Sequence, residues 1–189
     1  TGQKCTAVRR IFVPKERAAQ VQADLVDALS RIPVGDPADE KMRMGPVASK
    51  AQFEDVSKGI ARLAAHGTVA CGGAARLYPK GWFLAPTLIV ARDAADPAHH
   101  AEEVFGPCAS LLPYEGDATA AAALVNKGGG GLVCSAYSND AAWSERFTLE
   151  AAPWHGRVWL ASDKNADQAL PPGMVLPHSI HGGPGRAGG

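Results

Sequence analysis

Arg10-Ile11-Phe12-Val13-Pro14-Lys15-Glu16 sets the rhythm of this chain: a short apolar run, a proline that closes it, and the start of a charged, periodic segment. Arg10 to Val13 has the length and composition of a buried strand. From Glu16 to Arg31, Val21, Leu25 and Leu29 recur every fourth residue and form one apolar face of a helix. Val34-Gly35-Asp36-Pro37 breaks that helix, and a polar loop runs through Met44-Gly45-Pro46 to a second one over 50–65, carrying Phe53, Val56, Ile60 and Leu63.

The same alternation continues outward. Strands are expected over 69–71, 86–90, 108–112, 132–137 and 157–161, and helices over 117–126, capped by Asp117, and 140–151. Strands separated by helices of this length predict an α/β fold: an open, mostly parallel sheet with helices on both faces. From Ser162 the chain is rich in Pro and Gly and reads as a long loop over 162–189.

Composition narrows the function classes. Of 189 residues, 46% are hydrophobic and 20% charged, as in a globular domain with a real core. Nineteen basic residues balance nineteen acidic ones, so neither nucleic acid nor an anionic membrane is an expected partner. No apolar run approaches the ~20 residues that span a bilayer, and Thr1-Gly2-Gln3-Lys4-Cys5 lacks the pattern of a secretory signal. Cys5, Cys71, Cys108 and Cys134 form no CxxC pair and no zinc-ligand spacing, so no metal is expected. Reduced thiols in a cytoplasmic protein are the expectation, with the last three in apolar or Gly-rich surroundings.

Cys5 is different, because it lies in Gly2-Gln3-Lys4-Cys5-Thr6, with a lysine beside it and a strand ahead. A thiolate is the reactive form of cysteine, and a basic neighbour favours it. By itself such a cysteine also fits an apolar core residue. The reading sharpens at Glu102-Glu103-Val104-Phe105-Gly106-Pro107, with Glu103 lying 98 positions beyond Cys5 (103 minus 5).

Together, and in this order, the two segments resemble the aldehyde dehydrogenase superfamily. Gly2, Gln3 and Cys5 match its Gly-Gln-x-Cys nucleophile segment, and Glu103, Phe105, Gly106 and Pro107 match its Glu-x-Phe-Gly-Pro motif. Val34-Gly35-Asp36-Pro37, Met44-Gly45-Pro46, Pro86-Thr87 and Gly183-Pro184-Gly185-Arg186 extend the likeness along the chain. The resemblance implies that residues 1–189 are the catalytic domain of such an enzyme. Cys5 would be the catalytic nucleophile, Glu103 would bind the nicotinamide ribose of NAD or NADP, and Phe105 would pack beside the nicotinamide. Cys5 would attack the aldehyde to give a thiohemiacetal, its oxyanion held by the Cys5 N–H and an upstream amide. Loss of hydride would leave a thioester for water to release.

Lys4-Cys5-Thr6-Ala7-Val8-Arg9-Arg10, Gly128-Gly129-Gly130, Trp154-His155-Gly156-Arg157 and the stretch from His181 to Gly189 look like the branch that acts on CoA-linked semialdehydes in phenylacetate degradation. That branch implies NADP, a CoA-ester substrate and a hydratase-like domain following, and the family at large implies a homo-oligomer. A semialdehyde dehydrogenase of benzoyl-CoA breakdown is the neighbouring reading, and a non-catalytic remnant or assembly module is the competing class. Val175-Leu176-Pro177-His178 stands where many members carry an aromatic and two glycines.

The family's general-base glutamate, its oxyanion asparagine and its dinucleotide-binding domain lie upstream of the nucleophile. With four residues before Cys5, the chain reads as a fragment expected to be inactive alone. Other patterns carry less. Gly183-Pro184-Gly185-Arg186-Ala187-Gly188 fits GxGxxG without the strand and helix that motif needs. Gly128 to Gly131 reads as a helix-to-strand turn, and His99-His100 with Glu102-Glu103 as a solvated polar loop. His155 and His181 read as structural or loop residues.

Overall fold

The computed structural model describes residues 1–168. Two compact units divide the chain, one spanning Thr1–Tyr114 and the other starting at Glu115.

The first unit is built on a four-stranded sheet: β1 (Arg10–Pro14), β2 (Gly67–Cys71), β3 (Thr87–Ala91) and β4 (Cys108–Tyr114), in the spatial order β1-β4-β3-β2. β4 is central, parallel to both β1 and β3, while β2 runs antiparallel along the edge. Strand neighbours face opposite sides of a sheet, and the core divides accordingly. Leu88, Leu111 and Val13 face α1 (Lys15–Ser30), which lays Val21, Leu25, Val26 and Leu29 on them. Ile89 and Cys108 face the other side, where α2 (Lys50–Ala65) packs Val56, Ile60 and Leu63. The expected layering, helices on both faces of a mostly parallel sheet, is therefore present.

Helix α2 matches its expected bounds, because Ser49 caps it by accepting from the Gln52 N–H at 3.2 Å and its apolar stripe faces the sheet. The other expected elements lie within three residues of those observed. One α-helix has no counterpart in the periodicity. Asp96-Pro97 starts a five-residue helix, α3 (Pro97–Ala101), with the Asp96 carboxylate accepting from the Ala98 N–H at 2.9 Å. The cap followed by proline is its sequence signal, while five residues are too few to show a period.

Helix α3 overturns the reading of His99 and His100 as a solvated loop. They are 1% and 5% exposed. His99 accepts from the Ser110 hydroxyl at 2.9 Å through Nδ1, and its Nε2–H points to the His66 carbonyl at 3.4 Å. The His100 Nε2–H donates to the Ala94 carbonyl at 2.8 Å, leaving Nδ1 to accept from Arg10 at 2.9 Å. Both rings are thus spoken for as internal hydrogen-bond links.

In the second unit, α4 (Ala118–Asn126) and α5 (Ala141–Ala151) accompany a parallel pair, β5 (Gly131–Tyr137) and β6 (His155–Ala161). Asp117 and Asp140 cap the helices by accepting from Ala120 and Trp143. The run between α4 and β5 is the expected turn, with φ of +74° at Gly129 and +95° at Gly130, where a side chain would be strained. His155 donates to the Ala151 carbonyl at 2.9 Å, in keeping with a structural role. A 3-10 segment, Asp163–Gln168, follows β6. The remainder of the predicted loop, with Val175–His178, the GxGxxG match and His181, lies outside the described residues.

Candidate active site

The loop before β1 carries Cys5, and the loop between α3 and β4 carries Glu103 and Phe105. The first unit brings these two loops together. Gly2 adopts φ +71°, and a Cβ there would sit 2.3 Å from the Gly106 carbonyl oxygen, so only glycine permits this approach. Gly106 is itself pressed on α2, where a Cβ would meet Val56 at 2.6 Å. Its carbonyl accepts from the Cys108 N–H at 2.8 Å, and the Pro107 carbonyl accepts from the Thr87 N–H at 2.8 Å, tying the loop to the sheet.

Gln3 anchors the other loop. Its Oε1 accepts from the Ala48 N–H at 2.9 Å and its Nε2 donates to Gln52 Oε1 at 2.9 Å. Cys5 is exposed, and its backbone N–H meets no acceptor among the described residues.

The two glutamates of the motif part ways. Glu102 is gripped by Arg62, with Nε at 2.9 Å and Nη2 at 2.5 Å from its two oxygens. That guanidinium holds the Glu102 carboxyl below the usual carboxylate range. Glu103 is exposed, and its carboxylate makes no hydrogen bond or ion pair among the described residues. Phe105 is 40% exposed. A carboxylate without a partner, two residues from a partly exposed aromatic ring, can accept from hydroxyl groups while the ring offers apolar contact. Among the described residues there is no metal-binding cluster of His, Cys, Asp or Glu.

The remaining cysteines are placed differently. Cys108 and Cys134 are buried, Cys71 is partly so, and all four are free thiols. Burial, with a smaller contribution from Cys71, pushes the Cys108 thiol up to about 12. Iodoacetamide at pH 8 is therefore expected to label Cys5 ahead of Cys108 and Cys134, which should react only after unfolding. Peptide mass mapping of a time course checks this, and early labelling of Cys108 would contradict the geometry.

The aldehyde dehydrogenase family profile matches residues 1–173. The chain belongs to the aldehyde dehydrogenase family. A 3,4-dehydroadipyl-CoA semialdehyde dehydrogenase from Aromatoleum evansii is 38% identical, over an alignment covering 97% of this chain and 37% of the relative. Protein MaoC of Klebsiella aerogenes is 38% identical over 77% of this chain and 44% of its own length. Among solved structures, a mutant aldehyde dehydrogenase C from Pseudomonas syringae, in complex with NAD+ and octanal, superimposes with a TM-score of 0.79 at 27% identity. That match covers 96% of this chain and 35% of the other. The chain thus spans less than half the length of these relatives. No helix among the described residues is long and apolar enough to cross a membrane.

Two residues that organise the site, Gln52 and Arg62, have no motif of their own. Both sit on α2, and only their partners, 49 and 40 positions away, reveal what they do.

Proposed function

We propose that this chain is the nucleophile-bearing catalytic domain of an NAD(P)-dependent aldehyde dehydrogenase that oxidises a CoA-linked semialdehyde to the acid. The observation that carries the reading is the seating of Gly2 on Gly106, which gathers an exposed free cysteine and an uncommitted Glu103 with Phe105 onto adjoining loops of one unit. In this reading Cys5 attacks the aldehyde carbon as a thiolate, and its unengaged N–H stabilises the oxyanion of the thiohemiacetal. Glu103 accepts from the ribose hydroxyls of the nucleotide, and Phe105 flanks its ring. The nucleotide, when bound, supplies the hydride acceptor.

A CoA-linked substrate is supported by the name of the relative that aligns along 97% of the chain. NADP is the nucleotide favoured by the branch the sequence resembles, with NAD as the alternative. The same resemblance supports a cytoplasmic homo-oligomer acting in aromatic catabolism, with a cofactor domain upstream and a hydratase-like domain downstream. The cofactor domain, the general base and the oxyanion amide would come from sequence outside this chain, and residues 1–189 alone would not turn over aldehyde.

The test is turnover by the complete protein. NAD(P)-dependent oxidation should be faster on a CoA-linked semialdehyde than on the free one, and Cys5→Ala should lower it at least a thousandfold, the scale on which a covalent nucleophile acts (about 4 kcal/mol of barrier). Turnover that survives Cys5→Ala would refute the nucleophile and favour a non-catalytic module. Equal rates on free and CoA-linked substrates would refute the substrate class.

A further inference from the structure

Gln52, Val56, Gly59 and Arg62 occupy one stripe of α2, at intervals of four, three and three residues. Each meets one of the two site loops. Gln52 holds Gln3 of the Cys5 loop. Val56 lies against Gly106, Gly59 admits the side chain of Val104, and Arg62 grips Glu102, all in the Glu103 loop. The stripe spans about 15 Å at 1.5 Å per residue, so one rigid helix fixes the spacing between the loops.

We infer that Gln52 is a positioning residue for Cys5, acting through Gln3. The direction of the hydrogen bonds is determined by the backbone. The Ala48 N–H can only donate, so Gln3 must present Oε1 to it and turn Nε2 toward α2. Gln52 must then offer an oxygen. Its role is that of an acceptor, held in place on a helix whose cap, Ser49, bonds the Gln52 N–H. Losing that acceptor leaves Gln3 held by the Ala48 N–H alone, so the Gln3 amide is no longer tied to α2 and the Cys5 loop gains freedom.

This inference rests on the reading of Cys5 as the nucleophile, and its test separates the two. In the complete protein, Gln52→Leu is expected to lower kcat at least tenfold, since displacing a reacting group by about an ångström costs up to ~100-fold. KM for the nucleotide should stay within about twofold, because the loop that carries Glu103 and Phe105 is held on α2 through Glu102, Val104 and Gly106 instead. Gln52→Glu keeps the acceptor oxygen and should restore kcat to within about threefold of wild type. Amide hydrogen exchange supplies a readout independent of turnover: segments 2–7 and 46–49 should exchange several-fold faster in Gln52→Leu and at the wild-type rate in Gln52→Glu. Exchange unchanged in Gln52→Leu, or a Glu variant as impaired as the Leu variant, would overturn the clamp. If Cys5→Ala retains turnover while exchange behaves as expected, the clamp stands and the nucleophile assignment falls.

Discussion

Gly2→Ala is expected to reduce turnover of the complete protein about a hundredfold while leaving it folded. Two penalties meet at this position. An L-residue at φ +71° sits in the left-handed region, at a cost of about 1–2 kcal/mol. The new methyl would also stand 2.3 Å from the Gly106 carbonyl oxygen and 2.8 Å from its carbon, backbone atoms that cannot swing aside. The Cys5 loop must lift from the Glu103 loop, and misplacement by about an ångström is enough for a loss of this size. Gly129→Ala is the matched control. Gly129 has φ +74° but nothing within 4 Å of the added carbon, so it carries strain without collision. It should lose stability comparably and keep its rate. Similar rates in the two variants would show that the approach of Gly2 to Gly106 does not matter for chemistry.

Leu111→Ala should be the most destabilising of the simple truncations, at about 3 kcal/mol. Leu111 is fully buried on the central strand β4, in contact with the cluster that α1 covers, and its neighbours are pinned by pairing on both sides. A cavity there cannot collapse without bending the sheet. The urea midpoint should fall at neutral pH with the slope unchanged. Leu149→Ala, at a position 67% exposed, should shift the midpoint by no more than about 0.5 kcal/mol. A loss at Leu149 as large as that at Leu111 would mean that Leu149 is covered in the complete protein.

Much of the fold was legible because its signals are local. A fourfold spacing of leucine and valine along 16–31 reports a helix face wherever the chain goes, and Asp117 and Asp140 announce helix starts through hydrogen bonds to residues three positions away. The edge strand β2 was legible as a strand but not as antiparallel, since direction is a property of pairing rather than of sequence. Helix α3 escaped because five residues hold little more than one turn. Burial of His99 and His100 escaped with it, since a pair of histidines reads as polar until Ser110, Ala94 and Arg10 close around it.

At the site, the sequence by itself determined the family and the pair of segments, Gly2 to Cys5 and Glu103 to Pro107, because both are short runs whose residue types stand in unbroken order. Only the tertiary structure decided how those residues are used. Adjacent glutamates look alike in a sequence, yet Arg62, arriving from 40 positions away, occupies Glu102 and leaves Glu103 open. The direction of the Gln3 amide was set by a backbone N–H 45 positions distant. Hydrogen bonds and close glycine approaches of this kind depend on where remote segments meet, and that meeting is fixed by the packing of α2 against the sheet.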